Sequence, residues 1–111
     1  MGFYRGPNTV TDGLALAVDA GSTRSYPGSG TTTTSLVGSS TGTLVNGTGF
    51  DNANGGVFIS DGTDDGIVVP DDSTLDLLDF TLEAWVWWNQ HKNYGSILCK
   101  GPGGSGQLFN Y

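Results

Sequence analysis

The residues best equipped for chemistry in this chain are acidic, aromatic and few. Asp61-Gly62-Thr63-Asp64-Asp65-Gly66 sets carboxylates at the first, fourth and fifth positions of one tight turn, and Asp71 and Asp72 follow beyond the next apolar run. Clustered Asp side chains and backbone carbonyls can supply the roughly six to eight oxygens that calcium takes. The EF-hand pattern fails, because its third position is Thr63 and a β-branched run follows Gly66. The competing reading is a hairpin turn whose Asp side chains cap backbone amides. A second cluster, Trp87, Trp88, His91, Asn93 and Tyr94, mixes rings with hydrogen-bonding groups. Sugar sites stack an aromatic face on a pyranose and surround it with such groups. Alternation along the same segment assigns Trp85 and one of Trp87 and Trp88 to a core instead, and His91 equally suits a solvated loop.

The parts for hydrolysis are missing. A retaining glycosidase needs two carboxylates about 5 Å apart, yet Glu83 is followed by Ala84, Trp85, Val86, Trp87 and Trp88 with no second acid. One histidine, His91, allows no histidine metal cluster, and no Ser-His-Asp set is expected around it. Cys99, between Leu98 and Lys100, is expected to be a buried, inert thiol. The chain reads as a non-enzyme.

Composition narrows the class further. The 111 residues make one domain, and 42 of them are Gly, Ser or Thr, against 14% charged and 36% hydrophobic. One Glu and two Lys rule out a coiled coil or helical bundle. No window reaches the roughly 18 apolar residues of a membrane span. Four basic against eleven acidic residues, a net charge of -7, leave nucleic acid without its cationic partner and disfavour anionic membrane surfaces. The single cysteine forms no internal disulfide. With neither an apolar leader nor a myristoylation pattern at Met1-Gly2-Phe3-Tyr4-Arg5-Gly6, the expectation is synthesis and folding in a reducing cytoplasm.

The elements that must position these groups read as short strands punctuated by glycine. Residues 1–12 form a polar docking arm carrying Phe3, Tyr4, Arg5, Pro7 and Asn8. Leu14 to Asp19 is expected to be the first strand, with Leu14, Leu16 and Val18 on one face. A Gly/Ser/Thr stretch over 21–42 is long for a loop, so Thr31 to Thr34 form an edge strand or the loop is functional. Thr43-Leu44-Val45 is a strand closed by the Asn46-Gly47 turn signal. Asn46-Gly47-Thr48 also spells an N-glycosylation sequon, which a cytoplasmic start disfavours. Val57 to Ser60 and Ile67 to Val69 are expected to pair as a hairpin across the acidic turn, with Pro70 ending the second strand. Asp71 to Leu75 is a loop or a single helical turn. Phe80 to Trp88 is the strongest strand signal, apolar on both faces like a central sandwich strand. Ser96 to Lys100 is another strand, Gly101 to Gly104 a turn, and Gly106 to Tyr111 the start of one more. The fold class is all-β with antiparallel strands, a sandwich or jelly roll.

Several segments, in order, are similar to concanavalin A-like (LamG-like) jelly-roll domains. They are Gly13 to Ala20, Ser25-Tyr26-Pro27-Gly28-Ser29-Gly30-Thr31, Gly42 to Gly47, Ala53-Asn54-Gly55-Gly56, Phe58 with Asp61 to Asp65, and Phe80 to Val86. The Met-Gly start and short Arg/Pro/Asn arm most resemble structural proteins of marine tailed phages, cyanophages in particular. Where many relatives carry a Trp and an Asp-Leu-Ser-Gly-Asn segment, this chain has Thr32 to Ser40. Glucanases of the superfamily carry a Glu-x-Asp-x-x-Glu strand motif, which the Glu83 strand lacks. Because such domains run well beyond this length, residues 13–111 are expected to be the N-terminal part of a jelly-roll sandwich, completed by further chain or by neighbouring subunits.

The resemblance implies a virion structural protein, a capsid decoration or a tail or fibre component, made in the host cytoplasm and located on the virion. Its partners would be other virion proteins, further copies of itself, and a host surface glycan. Neither nucleic acid nor membrane is expected among them. The alternative is a carbohydrate-binding, lectin-like adhesion module without catalysis. Calcium is the one cofactor either reading admits.

Overall fold

The computed structural model describes residues 10–90 and 96–100, and the chain divides into two units, Met1–Leu78 and Asp79–Tyr111. Five short antiparallel strands lie in the first unit. β1 (Thr32–Thr34), β2 (Thr41–Val45) and β5 (Gly66–Val68) form one sheet in the order β1-β2-β5, while β3 (Gly49–Asp51) and β4 (Val57–Ile59) form a two-stranded sheet. Single 3-10 turns cover Ala53–Gly55 and Ser73–Leu75, the second capped where Asp72 Oδ1 accepts from the Thr74 amide at 2.8 Å. Among the described residues the protein is all-β, with no longer helix.

Side-chain alternation explains the larger sheet. Thr33 on β1 pairs with Gly42 on β2, and Leu44 on β2 pairs with Ile67 on β5. These positions share one face by the two-residue period of a strand, and Thr33, Gly42 and Leu44 are buried while their neighbours Thr32, Thr41 and Thr43 are exposed. Gly42 is required by space. A Cβ there would stand 2.8 Å from Ile67 Cγ2 and 3.0 Å from Thr33 Cγ2.

The aromatic centre belongs to the smaller sheet. Phe50 and Phe58 are directly paired across β3 and β4, and Tyr26 packs against both, with ring centroids 5.0 and 5.1 Å away. Tilted and edge-on pairs of this kind contribute about 0.5–1.5 kcal/mol beyond area burial. Tyr26 is 4% exposed and donates its hydroxyl to the Gly30 carbonyl at 2.8 Å, which fixes the loop before β1 onto these rings.

Three sequence expectations are corrected. Leu14 to Asp19 joins no strand ladder. Its alternate amides donate to hydroxyls instead, Ala17 N to Ser35 Oγ at 3.1 Å and Asp19 N to Ser25 Oγ at 3.0 Å. Val57–Ile59 and Gly66–Val68 do not form a hairpin, because Phe58 pairs with Phe50 and Ile67 with Leu44, in different sheets. In the second unit, Phe80 to Trp88 and Ser96 to Lys100 are not strands either. A strand exists only as part of a hydrogen-bonded ladder, and neither segment belongs to one among the described residues. The run Thr31 to Thr34 resolves as the edge strand β1. The turn and strand expected over 101–111 lie outside the described residues.

Candidate functional site

Two chain crossings between the sheets meet at the acidic turn. Val45-Asn46-Gly47-Thr48 leads from β2 to β3, with positive φ at both central residues (58° at Asn46, 100° at Gly47) and Thr48 N bonded to Val45 O at 3.2 Å. Asn-Gly favours this mirror-image turn because both residues tolerate the left-handed region. Residues 60–65 lead from β4 to β5. The crossings are clasped together: Asn46 Nδ2 donates to Asp64 O at 2.8 Å, and Thr48 Oγ1 accepts from the Gly66 amide at 2.9 Å.

Within the turn, the carboxylates first serve the backbone. Asp61 Oδ1 accepts from the Thr63 amide at 2.7 Å, and Asp65 Oδ2 accepts from the Asp61 amide at 2.8 Å. That is the capping role expected of Asp in turns. A further feature goes beyond capping. One oxygen from each of Asp61, Asp64 and Asp65 falls within 4.8 Å of the others, and Asp65 Oδ1 is buried with no hydrogen-bond partner. A buried carboxylate oxygen without a donor is costly, so the donor set fits a hard cation that would engage it. Asp71 and Asp72 take no part in this cluster.

The aromatic candidates divide differently. Trp87 is 92% exposed and Trp88 half exposed, so the Trp87 indole faces are open to a ligand. His91, Asn93 and Tyr94 lie outside the described residues, as do Phe3, Tyr4, Arg5, Pro7 and Asn8 of the expected arm. Trp85, expected in a core, is fully exposed. Cys99 is exposed, not buried.

The sequence reading missed a concavity of about 350 Å³ in the first unit, lined by Gly21, Tyr26, Gly28, Phe50 and Asn52 among others. It depends on two close approaches of main chain. A Cβ on Gly21 would collide with the Gly55 carbonyl oxygen, and one on Gly56 would lie 2.7 Å from Ala20 O. The glycine-rich signal at Gly55-Gly56 was legible in sequence, but its distant counterpart at Ala20-Gly21 was not. A smaller hollow of about 180 Å³ is lined by Ser39, Ser40, Thr41, Val69, Pro70, Asp71 and Asp72.

No family model, curated protein or solved structure matches the chain.

Proposed function

We propose that this chain is a non-catalytic structural module of a tailed-phage virion, a capsid decoration or tail-fibre component presenting a concanavalin A-like jelly roll. The observation that carries the reading is the segment Phe80 to Trp88, strand-forming in composition yet in no strand ladder among the described residues, with Trp85 105% and Trp87 92% exposed. Exposed apolar surface of this kind marks an interaction site. Neighbouring virion proteins, or further copies of the chain, cover it in the assembled particle. The antiparallel all-β architecture is compatible with the jelly roll that the sequence resembles.

Quantitative mass spectrometry of purified particles tests this. The chain should be recovered in copies matching a capsid or tail symmetry, and deletion of residues 1–12 should release it. Recovery only in the soluble fraction would overturn the reading.

The second reading, a lectin-like adhesion module, is favoured by the openness of Trp87. Trp87→Ala should abolish glycan retention while leaving the melting temperature unchanged, because an indole at 92% exposure contributes little packing. Calcium belongs to either reading, held by Asp61, Asp64 and Asp65, and the unpartnered Asp65 Oδ1 supports it.

A further inference from the structure

The chain contains two Asn-Gly pairs among its described residues, Asn46-Gly47 and Asn54-Gly55, and the fold treats them differently. Their backbones are nearly the same: φ is 58° and 100° at the first pair, and 54° and 89° at the second. All four residues are exposed. The difference lies in the side-chain amide. Asn46 Nδ2 is tethered to Asp64 O at 2.8 Å, and the next residue, Thr48, is locked to Gly66 through its hydroxyl at 2.9 Å. The Asn54 amide has no hydrogen bond among the described residues. Its short turn is closed by Gly56 N to Ala53 O at 3.0 Å, and the space beside Gly55 is open for at least 4 Å.

We infer that Asn54 is a site of spontaneous deamidation, and that the clasp between the two sheet crossings protects Asn46 from the same reaction. The Gly55 amide nitrogen, deprotonated by hydroxide, attacks Asn54 Cγ. A new N–Cγ bond forms, the Cγ–Nδ2 bond breaks, and the side-chain nitrogen leaves as ammonia. Water then opens the succinimide at either carbonyl to give aspartate or isoaspartate, with no oxidant or cofactor. Glycine in the following position lets the nitrogen approach, since no Cβ obstructs it. Both residues of a pair must rotate out of the turn to reach the reactive geometry. That rotation breaks the Asp64 tether at Asn46 and has no such tether to break at Asn54.

The product matters to the fold. Either form adds one negative charge to a chain already at -7. Isoaspartate also inserts a methylene into the main chain two residues before Gly56, whose Cα is pressed so closely on Ala20 and Gly21 that a Cβ would lie 2.7 Å from Ala20 O. Deamidation at 54 therefore loosens the contact between those two loops.

The test is peptide mapping by mass spectrometry of the full chain aged at mildly alkaline pH, folded and in denaturant, with isoaspartyl methylation as a second readout. In denaturant the two sites should react at similar rates. In the folded chain Asn54 should react at least about fivefold faster than Asn46, the factor corresponding to one net hydrogen bond. Thr48→Ala should raise the Asn46 rate and leave Asn54 unchanged. If that variant unfolds, both sites take their denatured rates and the folded wild-type ratio still decides. Equal rates at the two sites in the folded chain, or a faster Asn46, would overturn the inference.

Discussion

Ser25 is 2% exposed, and its hydroxyl stands in for a missing strand pairing. It accepts from the Asp19 amide at 3.0 Å and donates to Thr34 O at 2.7 Å, while the Ser25 carbonyl accepts from Thr33 Oγ1 at 3.0 Å. Since each hydroxyl proton is committed to a carbonyl, the 3.3 Å approach of Ser25 Oγ to Thr33 Oγ1 adds little. Removing one partner of a hydrogen bond leaves the other partly desolvated. Ser25→Ala removes the part-buried bonds to Asp19 N and Thr34 O, so urea denaturation should show a loss of about 1–3 kcal/mol. A loss under about 1 kcal/mol would mean that water or a backbone shift replaces the hydroxyl. Gly42→Ala should cost about 1–3 kcal/mol by overpacking, as its Cβ meets the Ile67 and Thr33 methyl groups at 2.8 and 3.0 Å. Gly42→Ala combined with Ile67→Ala, which removes the Cγ2 methyl, should cost less than the sum of the two single changes if the Ile67 contact is the cause.

The acidic turn is held by its own carboxylates and by the clasp to Asn46 and Thr48, so a cation bound as proposed would impose little further ordering. Calcium at about a hundred times its dissociation constant would stabilise the folded chain by about 2.7 kcal/mol. Calorimetry should therefore show a melting temperature that rises with calcium, and Asp64→Asn with Asp65→Asn should remove the rise. An unchanged melting temperature in saturating calcium would leave these residues as turn caps only. The turn residues themselves were legible from sequence, since Asp, Gly and Asn announce turns by their side-chain and backbone chemistry. So were β2, β4 and β5, whose β-branched runs flank those signals. β3 was not, because Gly49-Phe50-Asp51 carries two residues poor in strand propensity and owes its form to the Phe50–Phe58 pairing. Strand partners were misjudged for a related reason. Nearness in sequence made β4 and β5 look like a hairpin, whereas their pairing is decided by where Phe58 and Ile67 find cover.

All three tryptophans, Trp85, Trp87 and Trp88, fall within four residues of one segment. Tryptophan fluorescence of this chain, excited selectively over its four tyrosines, is therefore a report on that segment alone. The alternation that made it look like a central sandwich strand is a property of the side chains. A ladder needs a neighbour as well, and that requirement is invisible in a local pattern. With Trp85 and Trp87 at 105% and 92% exposure and Trp88 at 50%, emission from the isolated chain should be dominated by water-exposed indole and be strongly quenched by acrylamide. A net charge of -7 keeps isolated copies apart by mutual repulsion, so dilution should leave the spectrum unchanged. Incorporation into a virion should then shift the emission to shorter wavelength and protect it from acrylamide, as a neighbouring strand covers the indoles. A glycan ligand alone should give a smaller shift, confined to Trp87 and lost in Trp87→Ala. A blue, quencher-resistant spectrum from the dilute isolated chain would show that the segment is already covered, and the assembly reading would lose the observation on which it rests.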